Sequence, residues 1–372
     1  MPGRFLFKHK YFQSLMSLKL HPLKVSKLVK LNKDAVAINF DIPDDLKNIF
    51  KYTHGQFISI QANINGEKYR REYSLCSSPY SEKDFVIASK KIQNGIVSHY
   101  LYNDLKEGDI LEVFPPNGKF FTELNPANEK NYFLIGGGSG ITPLMSILKS
   151  VLHVESKSKV ILYYGSADED GIIFRDELIK LQNTYSDRFK LYFTLTNTSL
   201  TWNGLKGMIN SDDLLKLIKD NLDNKAKETE YFICGPVEMM EKTKTDLLGL
   251  NIDQKKIHIE YFTAPIHHEE FVPGVEDLDE TKERNVQVLL DGEEHFIPVS
   301  PGENILAAAI KADLDPPFSC KSGICTTCRA KLYSGKVRMD EREGLSDSEI
   351  EEGYILTCQS HPLTDNVKIE YM

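Results

Sequence analysis

The chain has 372 residues with 45 Lys and Arg against 54 Asp and Glu, a formal charge of −9 that argues against a nucleic-acid partner, whose phosphates would be met by a basic face. Its length exceeds one comfortable core and predicts two or three domains, and the lack of any apolar run of about 18 residues predicts no integral membrane segment. Six cysteines without a secretory signal predict a reducing, cytoplasmic setting and no disulfide framework.

Residues 1–20, MPGRFLFKHKYFQSLMSLKL, are basic and aromatic but lack a continuous apolar segment, and read as a loose extension. A surface-binding amphipathic arm, or a true start at Met16, are the alternatives. From 21 to 124, short strand-like runs such as FISIQANI and DFVIASKKI, broken by Gly, Pro and Asn, predict a small antiparallel β-barrel without a long helix. From 125 to 264 the pattern changes to NYFLI, then GGGSG, then ITPLMSILKSVL, followed by KVILYYG, FRDELIKLQNTY, KLYFTLT, SDDLLKLIKDNL, ETEYFICG and KIHIEYF. That alternation predicts an α/β domain with a parallel sheet. Residues 265–284 are acidic, interrupted by prolines and a glycine, and read as a linker. From 285 to 372, NVQVLL, HFIPV, NILAAAIKADL and a cysteine-rich loop form a third compact unit.

Four of the six cysteines fall in the last 53 residues. Cys320, Cys325 and Cys328 give C-x4-C-x2-C, and 29 residues separate Cys328 from Cys358. Those first spacings are those of plant-type [2Fe–2S] proteins, in which four thiolates complete two tetrahedral irons. Structural zinc also takes four cysteines, but usually as two short knuckles, whereas here a triplet is joined by one distant residue. Gly323 would let the loop wrap closely around a cluster.

Gly136, Gly137, Gly138 and Gly140 stand between an apolar strand and a helix, where amides can receive dinucleotide phosphates, and Thr142 is expected to cap that helix with Pro143 at its first turn. The standard G-x-G-x-x-G fingerprint is broken by Ile141, so a plain glycine turn is the competing reading. Cys234, Gly235 and Pro236 follow the apolar run YFI at a carboxyl strand end, the edge where ligands bind in open α/β sheets; a buried inert cysteine is the bland alternative. In RREYSL, strand alternation puts Arg71 and Tyr73 on one face, a cation beside an aromatic ring, which suits a ligand with a pyrophosphate and a flat ring. Alone, that segment reads equally well as an ordinary barrel strand.

Taken together, RREYSL (70–75), GIVS (95–98), GGGSGITP (136–143), CGP (234–236) and the cysteine set resemble the ferredoxin–NADP(+) reductase family with a fused C-terminal plant-type ferredoxin, most like oxygenase reductase components of the phenylacetyl-CoA epoxidase type. The resemblance implies an FAD-binding barrel, a nicotinamide-binding α/β domain and an α+β (β-grasp) ferredoxin domain. It implies that Tyr73 stacks on the flavin, Arg71 pairs with the pyrophosphate and Ser74 sits near flavin N5. Gly95, Val97 and Ser98 would contact FAD phosphates. Gly138, Thr142 and Pro143 would line the nicotinamide site, with Cys234 and Gly235 at the hydride-transfer point, and Glu260 and Phe262 would face the flavin. Cys320, Cys325, Cys328 and Cys358 would hold the cluster. Ser166 and Arg175 would sit near the adenosine ribose, yet Asp168, Glu169 and Asp170 stand where relatives that prefer NADPH often carry an arginine, so NADH and NADPH both stay open.

The implied activity passes electrons from NAD(P)H to FAD, to [2Fe–2S], to an acceptor oxygenase or hydroxylase. A reductase for a membrane desaturase or alkane hydroxylase, and a non-enzymatic iron–sulfur carrier or sensor, are the alternatives.

Overall fold

The computed structural model describes residues 19–222, 228–262 and 282–371. Most of the expected N-terminal extension and most of the acidic linker lie outside the described residues.

Six strands form the first unit: β1 (His21–Lys30), β2 (Ala35–Asp41), β3 (Phe57–Ile64), β4 (Glu67–Ser74), β5 (Phe85–Lys90) and β6 (Ile110–Val113). They order as β4-β3-β6-β1-β2-β5 with every neighbour antiparallel, and a bridge between Leu75 and Ile87 joins the two edges. Closure leaves the inward residues, among them Leu23, Val25, Ile38, Ile58, Ile60 and Val113, without solvent contact. Burial of each such side chain contributes roughly 1.5–3 kcal/mol. One short helix, α1 (Ile96–Asn103), joins β5 to β6, in keeping with a barrel that has no long helix. Val97 and Leu101, one turn apart, join the barrel core and hold the helix there.

A parallel sheet makes the second unit. Its strands are β7 (Lys130–Gly137), β8 (Lys159–Ser166), β9 (Phe189–Leu195), β10 (Leu205–Lys206), β11 (Glu228–Cys234) and β12 (Ile257–Glu260). Helices α2 (Ile141–Val154), α3 (Arg175–Thr184), α4 (Ser211–Asn221) and α5 (Val237–Gly249) connect them. Cover on both faces explains why β7 is buried almost along its whole length. The order β10-β9-β8-β7-β11-β12 reverses direction at β7: β8 lies on one side and β11 on the other. That reversal opens a crevice above the carboxyl ends of β7 and β11.

The third unit is a mixed sheet, β14-β13-β19-β15-β17, built from β13 (Arg284–Leu290), β14 (Glu293–Val299), β15 (Arg329–Ser334), β17 (Tyr354–Leu356) and β19 (Lys368–Tyr371). A small ribbon pairs β16 (Val337–Met339) with β18 (Ser360–Pro362). Helix α6 (Ile305–Lys311), capped by the Asn304 side chain, packs on the sheet, and α7 (Asp347–Glu351) starts at a capping box of Ser346 and Glu349. The core of this unit contains only residues from 286 onward, whereas the core around β7 also takes in Ala35, Cys76, Ala88 and Phe120 from the barrel.

Candidate redox site

All three units meet at a cavity of about 1230 Å³. Arg71, Tyr73 and Ser74 of β4 form one wall; Gly138, Thr142 and Gly235 form another, and Ser319 to Ser322 close the third. Ser74 is buried, its hydroxyl has no partner, and it lines this space, which fits a site for a ligand with a polar ring edge. Lys68, Lys90 and Lys91 line the same cavity as Arg71. These lysines went unrecognised in the sequence, although the pair Lys90–Lys91 stands only four positions before the GIVS segment. Together the four cations suit a pyrophosphate.

Ser98 also reaches the cavity, but its hydroxyl accepts from the Ile92 amide at 3.2 Å and donates to the Gly95 carbonyl at 3.1 Å. That hydroxyl therefore closes its own loop, and Val97 points into the barrel core. What this segment offers a phosphate is the first-turn backbone of α1.

At the sheet reversal the glycine run meets the CGP turn. A Cβ on Gly140 would lie 2.1 Å from the Cys234 carbonyl oxygen, and one on Gly137 would lie 2.8 Å from Pro236 Cδ. These glycines thus serve loop-to-loop packing; Gly137 and Gly138 both line the cavity, and Gly138 has open space around it. The expectation that Thr142 caps the helix is corrected: the N-cap is Gly140, and Thr142 lies inside α2 with Oγ1 donating to the Ser139 carbonyl at 3.0 Å. Pro143 is buried in the third position of that helix, packed away from the cavity walls. Cys234 is fully buried behind Gly235, and its thiol is pushed well up by burial and by the nearby Glu260.

Phe262 borders the large cavity, but Glu260 opens into a second space of about 310 Å³, which it shares with Glu72, Lys119, Cys325 and Glu343. Burial, and secondly Glu72, push the Glu260 carboxyl up to about 8; burial, and secondly Cys320, push Glu72 up to about 7. A carboxyl raised above its unfolded value binds extra protons in the native state, so its contribution is full below about pH 4.5 and is lost as pH rises through about 8. Thermal melts should therefore show Glu260→Gln matching the parent at pH 5 and exceeding it at pH 8. Equal melting differences at both values would contradict this.

Ser166 ends β8 with a buried hydroxyl that has no partner, and Arg175 opens α3; neither lines the large cavity. Arg175 pairs with Glu169 at 3.7 Å, Glu169 also accepts from Ser199, and Asp168 pairs with Lys33 of the barrel at 3.4 Å.

The four C-terminal cysteines come together as two hydrogen-bonded pairs, Cys320 with Cys325 and Cys328 with Cys358. Cys320 and Cys358 accept from their partners' thiols and are held below the usual thiol range, while the donors are pushed up. Amides of Ser322 and Cys325 also point at Cys320 Sγ, at 3.3 and 3.4 Å. Among the described residues no three metal-ligating side chains surround one ion position. Two pairs suit two irons better than one tetrahedral zinc. Gly323 has φ of +76°, and a Cβ there would meet Glu341 Cβ at 2.6 Å, so this turn of the loop requires glycine.

Three family descriptions match in chain order: "Oxidoreductase FAD-binding domain" over residues 22–122, "Oxidoreductase NAD-binding domain" over 134–245 and "2Fe-2S iron-sulfur cluster binding domain" over 288–363. The chain is 34% identical to a subunit of the 1,2-phenylacetyl-CoA epoxidase of Escherichia coli (strain K12), over 94% of this chain and 97% of that one. It belongs to this family of oxygenase reductase components. To the ferredoxin reductase component of 3-ketosteroid-9-alpha-monooxygenase from Rhodococcus rhodochrous the reductase is 32% identical, over 94% and 96% of the two chains. The solved structure of phthalate dioxygenase reductase, described as modular for electron transfer from pyridine nucleotides to [2Fe-2S], has the same fold. Its TM-score is 0.57 over 94% of this chain and 98% of that one, at 23% identity. The reductase is thus an oxidoreductase that uses FAD, a nicotinamide and a [2Fe–2S] cluster. Among the described residues no helix is long and apolar enough to cross a membrane.

Proposed function

We propose that this reductase serves a multicomponent oxygenase of the phenylacetyl-CoA epoxidase type in the cytoplasm, with NADH as its electron donor. The observation that carries the reading is the single cavity walled by β4, by the sheet reversal and by the Cys320 loop, because it brings all three binding regions to one space. Bound FAD would accept hydride as an electron pair and release the electrons singly to the cluster. The chain's own residues bind and orient. Tyr73 would cover the flavin ring, Arg71 with Lys90 and Lys91 would hold the pyrophosphate, and Ser74 would supply a hydrogen bond at the ring edge. Gly138, Thr142 and Gly235 admit the nicotinamide beside Cys234, with Phe262 over the opening, and Glu260 neighbours the cluster side. Cys320 and Cys325 would hold one iron, and Cys328 and Cys358 the other.

NADH is favoured because Asp168, Glu169 and Asp170 stand around the expected ribose position against two cations, Lys33 paired with Asp168 and Arg175 paired with Glu169, so the charge there is net negative. A ribose 2′-hydroxyl can donate to a carboxylate, whereas a 2′-phosphate is repelled. An anaerobic absorbance titration should bleach flavin and iron–sulfur bands together, with NADH at least about 10-fold more efficient than NADPH, or about 1.4 kcal/mol. Bands that stay unchanged would end the reductase reading, and superior NADPH would end the acidic-loop argument. Electron delivery to purified phenylacetyl-CoA epoxidase, compared with a 3-ketosteroid oxygenase, tests the partner.

A further inference from the structure

Strand β4 has two working edges. All of Arg70 to Ser74 border the large cavity, but only Arg70 and Glu72 also reach across to hydrogen-bond the third unit. Arg70 is unusual for an arginine because its side chain is only 5% exposed. Its Nε donates to Gln61 at 2.7 Å, one terminal nitrogen donates to the Pro316 carbonyl at 3.2 Å, and the other reaches the Asp315 carboxylate at 2.6 Å. The guanidinium also lies 4.2 Å from the centre of the Phe318 ring, which Lys321 covers at 4.6 Å, and 5.4 Å from that of Phe114.

The segment so gripped is Asp315–Pro316–Pro317–Phe318–Ser319–Cys320. Two consecutive prolines fix their backbone angles, so holding Asp315, Pro316 and Phe318 also holds Cys320. Cys320 lines the cavity opposite Tyr73. Further along the same loop, Thr327 donates to Glu72 at 3.4 Å, and Lys119 of the barrel pairs with Glu349 of α7. Glu349 is held down at about 2, burial being outweighed by Lys119 and Ser346. Of these contacts only Arg70 combines full burial, a planar fork of donors and a ring stack. A lysine cannot reproduce that combination.

We propose that Arg70 is the positioning residue that sets the gap between the flavin site and the cluster, by locking the loop that leads into Cys320 against the strand that carries Tyr73. This inference rests on the proposed function. With both cofactors bound, one hydride would bring the flavin two electrons and a proton; the electrons would pass singly to the cluster, each reducing one ferric iron to ferrous before leaving to the acceptor, and the proton would be released to solvent. Transfer between fixed centres falls steeply with separation, so loosening the loop slows this step and leaves hydride transfer alone.

The test is anaerobic stopped-flow mixing of the full FAD- and cluster-loaded chain with NADH, following flavin and cluster bleaching separately. In Arg70→Met, flavin bleaching should keep the parental rate while cluster bleaching slows at least about 10-fold, at parental FAD and iron content. Arg70→Lys, which keeps the cation but not the fork, should recover part of the loss. Asp315→Ala, at an exposed position of the third unit, should slow cluster bleaching about 3-fold, and serves if Arg70→Met fails to bind FAD. Parental cluster rates in a loaded Arg70→Met, or in Asp315→Ala where that variant stands in, overturn the inference alone. Absence of the cluster phase from the parent protein overturns the proposed function, and this inference with it.

Discussion

Replacing Cys328 with serine is expected to abolish electron delivery to a one-electron protein acceptor, while NADH still bleaches FAD at a rate within about two-fold of the parent. Cys328 is buried in a core built only from residues of the third unit, next to Cys358, so damage there stays local. Serine offers a poor ligand to iron in place of a soft thiolate, and one lost ligand opens the cluster to solvent and loss. The barrel and the parallel sheet, by contrast, share a core through Ala35, Cys76, Ala88 and Phe120, and hold together without the third unit. Iron analysis, the visible spectrum and ferricyanide reduction by NADH separate the two halves of the expectation. Full iron content in the variant would remove Cys328 from the ligand set. Loss of flavin reduction would show instead that the third unit supports the flavin site.

Gly140→Val is expected to cut NADH-driven flavin reduction by about two orders of magnitude without emptying the FAD site. The added Cβ would stand 2.1 Å from the Cys234 carbonyl oxygen and 2.7 Å from the Gly235 nitrogen, and both are backbone atoms that cannot turn aside. The CGP turn must then move off the glycine run, widening the crevice where β7 and β11 part. Overpacking of this kind typically costs about 1–3 kcal/mol of stability, tolerable in a unit with so extensive a core. The cavity wall formed by β4 lies on a different unit and stays as it is. Dithionite, which needs no nicotinamide site, should still reduce flavin and cluster in the variant. A parental rate with NADH would show that the close approach of these loops plays no part in nicotinamide binding.

Much of the candidate site is legible in the sequence because its signals are local. C-x4-C-x2-C places three sulfurs on one loop whatever surrounds it, and GGGSG between an apolar strand and a helix marks a phosphate-sized turn. The order barrel, parallel sheet, third compact unit follows from periods of two and 3.6 residues that need no partner to be seen, and the cysteine spacing with the family resemblance marks the third as a ferredoxin. Other features were hidden for equally physical reasons. α1 is only two turns long, and its apolar spacing is too short to stand out among strands. Thr142 carries the right side chain for a cap but stands two positions beyond Gly140, which takes that place because only a residue without Cβ fits against Cys234.

Arg70 and Glu72 show the boundary most clearly. In RREYSL the alternation of a strand already separates Arg71 and Tyr73 from their neighbours, and so determines that two faces exist. Nothing local says what the second face meets, since Asp315 and Thr327 lie 245 and 255 positions away and are reached only when three separately formed units pack together. The sequence by itself determined the cofactor chemistry, because cofactors are recognised by short runs of backbone and side chain. The tertiary structure alone decided how those sites face one another, because distance between domains is set by packing across the chain.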